Sequence, residues 1–205
     1  GRTQYLERVL ESLSSMCYKS ERWELAAKSY RQLYDESSDA AIRKSAASGY
    51  VASTLKVAND DATVAMADDV EKFELITEIA RRKARYAKSQ VMLRRGDEQA
   101  AMAIFKTLSK EVKSVEGAEA RFRIIEAEYK AKNYDKAEKM VYEFSDTNTP
   151  QNYWLAKAFI LLGDIYFDKG DSFQARATYQ SIVDGYSPAD DGVVEEAKEK
   201  IAKLN

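Results

Sequence analysis

One spacing constrains this chain more than any other feature. Small residues followed four positions later by a large one recur along its length. Ala26-x3-Tyr30 follows Glu21-Arg22-Trp23, Ala101-x3-Phe105 follows Gly96-Asp97, Ala137-x3-Val141 follows Lys132-Asn133-Tyr134, and Ala175-x3-Tyr179 follows Gly170-Asp171. A weaker copy centres on Val64, after Asn59-Asp60, and has Asp68 where a large residue is expected. The anchors 26, 64, 101, 137 and 175 are separated by 38, 37, 36 and 38 residues, and the only two prolines, Pro150 and Pro188, are also 38 apart. A fixed period of this length marks stacked supersecondary units, each too small to bury its apolar face alone.

Composition says which kind of unit. Among 205 residues Gly and Pro supply ten and Ala 29. A turn-dense β-fold needs more breakers, and Ala is the strongest helix former, so the unit is a pair of helices. Gly96 and Gly170 provide the left-handed residue that ends a first helix. Ala175 is small where two helices touch, and Gly163 lets a neighbouring helix approach.

The last unit carries the fullest pattern: Phe159, Leu162, Gly163 and Tyr166 at aromatic-x2-Leu-Gly-x2-Tyr spacing, then Ala175 and Tyr179. This resembles the tetratricopeptide repeat, a helix-turn-helix unit of about 34 residues. The resemblance covers nearly the whole chain, strongest at 156–189 and weakest at 45–78. It implies an all-α right-handed superhelical solenoid of about five hairpins, at 4–36, 39–71, 73–112, 116–145 and 152–185, plus a C-terminal capping helix at 191–204, in a single array over 1–205. The cap is legible by itself: Val194, Ala197, Ile201 and Leu204 share one stripe, with Glu195, Lys198, Glu199 and Lys203 opposite. The strings Ser114–Ala120 and Tyr153–Lys157 are similar to the C-terminal part of large multi-repeat proteins of Bacteroides-type bacteria. That likeness leans towards the bacterial periplasm or cell envelope. The chain begins at Gly1 and reads as a piece of a larger protein.

Much chemistry is excluded. With no His there is no Ser-His-Asp or Cys-His arrangement and no His-ligated metal. The single Cys17 cannot form an internal disulfide or a thiolate cluster and reads as a packed small residue. The longest uncharged run, Ser45–Leu55, is too short to span a bilayer, which needs about 20 residues. Asp60-Asp61, Asp68-Asp69 and Asp190-Asp191 lack the pattern of a calcium loop, and Asp60 and Asp190 are expected to cap helices. Arg95-Gly96-Asp97 spells an adhesion tripeptide but occupies the place of the Gly170-Asp171 turn. Arg81, Arg82, Lys83, Arg85, Lys88, Arg94 and Arg95 form a basic stretch. Seven charges in fifteen helical residues spread around the cylinder, and with a pI near 5.5 they argue against nucleic acid. Asp164 and Asp168 are the nearest to a carboxylate pair and read as surface or groove residues. No cofactor, metal or catalytic group is expected.

What remains is recognition. Aligning the hairpins puts Tyr86, Gln90 and Leu93 in equivalent inward places on one first helix, Phe122, Glu126 and Tyr129 on the next, and Ile160, Asp164 and Phe167 on the last. Tyr86, Phe122, Tyr129 and Phe167 are the expected apolar anchors of a groove for a peptide or partner segment. Gln90, Arg94, Glu126, Lys157 and Asp164 are expected to set its polarity. A carboxylate clamp for chaperone tails is disfavoured, because the relevant places hold Ser15, Gln90, Glu126 and Asp164. The expected function is a non-catalytic protein–protein interaction scaffold or adaptor. The alternatives are a component of an envelope-assembly machine and the regulatory end of an enzyme.

Overall fold

The computed structural model describes residues 2–188 and 190–204. Among them the chain is all-α, with eleven helices: α1 (Arg2–Lys19), α2 (Trp23–Glu36), α3 (Ala40–Val57), α4 (Asp60–Val70), α5 (Glu78–Arg94), α6 (Glu98–Leu108), α7 (Val115–Lys130), α8 (Tyr134–Asp146), α9 (Asn152–Asp168), α10 (Ser172–Gly185) and α11 (Val193–Ala202). They fall into two compact units, Gly1–Ile104 and Phe105–Asn205.

The hairpin turns share one backbone device. Glu21, Ala58, Gly96, Lys132 and Gly170 all have positive φ, and they are separated by 37, 38, 36 and 38 residues. In four of the five turns the residue after it donates back into the last turn of the helix: Arg22 N to Cys17 O, Asp97 N to Met92 O, Asn133 N to Glu128 O and Asp171 N to Tyr166 O. These bonds satisfy carbonyls that would otherwise be orphaned at the helix end. Glycine meets the left-handed requirement at Gly96 and Gly170, and ordinary residues accept the strain elsewhere.

Counting five residues on from each left-handed position lands on Ala26, Thr63, Ala101, Ala137 and Ala175. The second anchor is therefore Thr63, one residue before the expected Val64. Thr63 is buried, and its hydroxyl donates to Asn59 O at 2.9 Å. The place of the large residue four positions on is taken by buried Ala67, not Asp68. A Thr can fill a small-residue site only because its hydroxyl finds a backbone carbonyl.

Three boundaries differ from the sequence expectation. Helix α5 begins at Glu78, not 73, because Thr77 caps it by accepting from Ala80 N. The preceding loop is apolar for a different reason: Phe73 and Ile76 are buried, and Phe73 stacks on Tyr34 with centroids 3.8 Å apart. Helix α6 ends at Leu108, not 112, since Ser114 turns the chain back and caps α7 by accepting from Gly117 N. Helix α11 spans Val193–Ala202, inside the expected 191–204. The expected caps also shift by one residue. Asn59, not Asp60, caps α4 by accepting from Ala62 N, and Asp191, not Asp190, accepts from Val193 N. Asn59 lies just outside the helical backbone, where its side chain can fold back, whereas the cap position of α11 is Gly192, with Asp191 one residue before it.

In the first unit α2 packs on α1 and α3, and α4 packs on α3 and α5. Its core joins Leu10, Leu33, Tyr34, Val51, Met66, Val70 and Phe73. In the second unit α9 packs on α7, α8 and α10, and α11 packs on α10 and α9. A Cβ added at Gly163 would lie 2.2 Å from the Tyr179 ring, so only glycine allows α9 and α10 this contact. Helix α11 behaves as a cap, with Val193 rather than the expected Val194 on its buried stripe: Val193 and Ala197 are buried, Val194 is only partly so, Ile201 and Leu204 pack with Ile160, Tyr179 and Ile182, and Glu195, Lys198, Glu199 and Lys203 stay exposed.

Candidate protein-binding groove

The second unit carries a groove of about 390 Å³ framed by α7, α9 and α11. It brings together five of the expected residues: Phe122, Glu126 and Tyr129 from α7, and Lys157 and Asp164 from α9. Spacings of three, four and seven on α7 and α9 put these side chains on one face of each helix.

The floor is aromatic. Phe122 is buried, with its ring centroid 5.5 Å from that of Trp154, and Tyr153 meets Trp154 edge-on at 5.0 Å. The Arg123 guanidinium lies 5.9 Å from the Phe122 centroid and 5.8 Å from that of Trp154. On the α7 side a line of alternating charge runs Glu119, Arg123, Glu126, Lys130. Arg123 bonds the buried Glu119 carboxylate at 3.2 Å, and Glu126 lies 3.5 Å from Arg123 and 3.2 Å from Lys130. Tyr129 donates its hydroxyl to Asp168 at 2.9 Å, beside Tyr134, which donates to the same oxygen at 3.1 Å. Burial first, then the hydrogen bond to Asp168 and the nearby Asp164 charge, push the Tyr129 hydroxyl above the usual tyrosine range. It is a hydrogen-bonding group rather than a base.

On the α9 side the expected polarity residues have another duty. Lys157 pairs with Glu196 of α11 at 2.5 Å. Asp164 accepts from Lys200 of α11 at 2.7 Å and from the Tyr179 hydroxyl at 2.6 Å. Both therefore tie the cap to α9 while still lining the groove. Tyr179 is held well above the ordinary tyrosine range, by burial first and then by Asp164. Phe167 is half-exposed near the end of α9 and is not among the lining residues. Trp154, Tyr153, Arg123, Lys130 and Glu196 were not singled out from sequence, although Arg123 adjoins Phe122 and Trp154 lies three residues before Lys157.

Tyr86, Gln90 and Arg94 belong to the first unit. There the basic stretch of α5 runs along α4. Arg85 forms a bidentate pair with Glu71 at 2.6 and 2.8 Å, Lys88 pairs with Asp68, Arg94 with Asp60 at 2.5 Å, and Arg95 with Asp61 at 2.6 Å. Arg81 donates to the carbonyls of Val70 and Phe73. Asp60, Asp61 and Asp68, which evoke calcium, are thus partners of the basic run that evokes phosphate, while Asp69 pairs with Arg31 of α2. Arg94, an expected groove residue, faces α4. Gln90 keeps its Nε2 buried without a hydrogen bond among the described residues. Gly96-Asp97 is a turn, as expected: Gly96 has φ +76°, and Asp97 accepts from Ala100 N just as Asp171 accepts from Gln174 N. Cys17 is buried. Among the described residues no helix is long and apolar enough to cross a membrane.

Repeated helix hairpins joined by a recurrent left-handed turn, small anchors at helix contacts and a polar-backed terminal helix define a helical-repeat protein. Residues 153–187 match the tetratricopeptide repeat family model. Among solved structures it is similar to BtubC (BKLC) from P. vanneervenii, at 14% identity over 91% of this chain and 84% of that one, with a TM-score of 0.47. No curated protein sequence matches. Tetratricopeptide repeats in general mediate protein–protein interaction.

Proposed function

We propose that the chain is a non-catalytic interaction module whose second unit binds a peptide or partner-protein segment along α7 and α9. The observation that supports this reading is the groove itself. An aromatic floor is bordered by charges of both signs, and five side chains expected to face a ligand line one space of about 390 Å³. Aromatic floors carry much of the binding energy at interfaces, and bordering charges select register. The segment that fits places an apolar side chain over Trp154 and Tyr153 and exchanges hydrogen bonds with the Glu126–Lys130 edge.

The test is co-purification from the source cell, comparing wild type with a Glu126→Lys, Tyr153→Ala, Lys130→Glu chain. These positions are preferable to Phe122, whose buried ring also holds the core together. Partner recovery is expected to fall about tenfold, the loss of one good interface contact, with an unchanged melting curve. Equal recovery by a folded variant places binding elsewhere.

A further inference from the structure

The groove of the second unit is charged by inventory and neutral by arrangement. Three cations, Arg123, Lys130 and Lys157, and three carboxylates, Glu126, Asp164 and Glu196, line it. Each has an opposite charge within reach. Arg123 lies 3.5 Å from Glu126 and donates from Nε and Nη2 to the buried Glu119 carboxylate at 3.3 and 3.2 Å. Lys130 lies 3.2 Å from Glu126. Lys157 meets Glu196 at 2.5 Å, and Asp164 meets Lys200 at 2.7 Å.

The pairs are not held equally. Lys130 stands at the rim with its side chain 68% exposed, whereas the other five are between 20 and 36% exposed. An exposed pair is worth little and exchanges readily with water. The inner pairs are partly shielded, and taking one partner away leaves a charge uncompensated.

Between the pairs the surface is apolar. Phe122, Ile160 and Leu161 are buried, Trp154 packs against Phe122, and Tyr153 is exposed beside it. Arg123 is fixed between two carboxylates and lies against the Phe122 and Trp154 rings. A guanidinium has more N–H donors than these carboxylates engage, and the spare ones suit a neutral acceptor such as a backbone carbonyl. A ligand charge entering this space meets no free counter-charge. It has to break an internal pair or be buried unpaired. An apolar side chain carries no such cost and covers the rings.

We infer that the groove selects an uncharged segment of a partner protein, an inference that rests on the interaction role proposed for this unit. The segment sets an aromatic or branched aliphatic side chain over Tyr153 and Trp154, and one of its backbone carbonyls accepts from Arg123. Charged residues of the ligand stay at the rim, beside Lys130.

The test is selection on the immobilised full chain from a phage library of random peptides of about 12 residues, which reach about 40 Å when extended. Peptides that bind the wild type and not the folded Glu126→Lys, Tyr153→Ala, Lys130→Glu chain report the groove. Their shared core is expected to be apolar and free of Asp, Glu, Lys and Arg. Adding one charge to that core should weaken binding about tenfold. Raising NaCl from about 50 to about 500 mM should change affinity by less than about twofold, since no net charge is neutralised. Two variants release a charge inside the groove: Glu196→Gln frees Lys157, and Glu126→Gln, which leaves the cap alone, frees Lys130 and one side of Arg123. Either, with an unchanged melting curve, is expected to admit an acidic residue into the selected core. Groove-dependent peptides with a charged core, a tenfold salt effect, or cores indifferent to both substitutions overturn this inference and leave the interaction role standing. Binders indifferent to the groove substitutions, or no binders, overturn both.

Discussion

Helix α5 of the first unit and helix α7 of the second are both rich in charge, and they use their charges in opposite ways. On α5 the charges cross to the neighbouring helix, where Lys88, Arg94 and Arg95 meet Asp68, Asp60 and Asp61. On α7 the charges pair mainly along their own helix, Glu119 to Arg123 and Glu126 to Lys130, and leave a groove between α7 and α9. A run of charge in a repeat therefore has no meaning until its neighbour is known. Beside an acidic helix it is a helix–helix contact, and beside a groove it pairs along its own helix.

That contrast is broken most forcefully through the cap. Truncating after Asp190 removes the buried Val193 and Ala197 and the partners of Lys157 and Asp164. A loss on the order of 4 kcal/mol is expected, since each well-buried Val, Leu or Ile contributes about 1.5–3 kcal/mol. Trp154 belongs to the second unit and Trp23 to the first, so a Trp23→Phe background lets fluorescence follow the second unit alone. An unchanged Trp154 transition would show that α11 is not holding it.

A smaller effect compares two glycines. A Cβ at Gly163 would meet Tyr179 at 2.2 Å, and one at Gly49 would meet Tyr30 at 2.7 Å. Tyr179 is buried and held by Asp164, whereas Tyr30 is only partly buried and can swing away. Gly163→Ala is expected to cost about 2 kcal/mol and Gly49→Ala about 1 kcal/mol, within the range for overpacking. Denaturant midpoints of the two variants check the order.

Lys88→Glu should cost about 1 kcal/mol, because it places like charge beside Asp68, while Lys130→Glu at the exposed groove edge should stay within about 0.5 kcal/mol. Equal losses would mean that α5 and α7 use their charges alike.

The smallest effect is in acid. The Arg94 hydrogen bond holds the Asp60 carboxyl below its usual range, and Lys136 with Asn133 does the same for Glu128. Carboxylates depressed by folding add stability that is full above their unfolded values, near pH 4, and is lost as pH falls through the folded ones. Melting temperature should therefore be flat in these contributions down to about pH 5 and decline below about pH 4. Asp60→Asn should shallow the decline, and an identical slope would remove Asp60 from the account.

The repeat period was legible because it rests on backbone geometry. A left-handed turn followed five residues later by a small anchor leaves Gly96-Asp97 and Ala101 or Gly170-Asp171 and Ala175 in plain view. Where Ala58 takes the left-handed place and Thr63 the anchor, the same geometry is written in less diagnostic residues, and the sequence reading slipped by one to Val64. Residues 73–77 show the same limit. Phe73 and Ile76 sit in a buried loop, and burial makes a loop as apolar as a helix. Half of the groove was legible too: Phe122, Glu126 and Tyr129 follow helical spacing on α7. Glu196 was not, since it reaches the groove from a helix 39 residues beyond its partner Lys157.

Sequence by itself determined that this chain is α-helical, that its helices come in hairpins of fixed period, that α11 has one apolar face, and which faces of α7 and α9 turn the same way. These properties depend on residues close in the chain, through turn chemistry and the 3.6-residue periodicity of a helix. Tertiary structure decided which charges are partners and which stay available. It set the α5 cations against the α4 carboxylates and turned Lys157 and Asp164 to the cap. Pairing of side chains is a matter of distance between helices, and that distance depends on packing, which the period of a repeat does not encode.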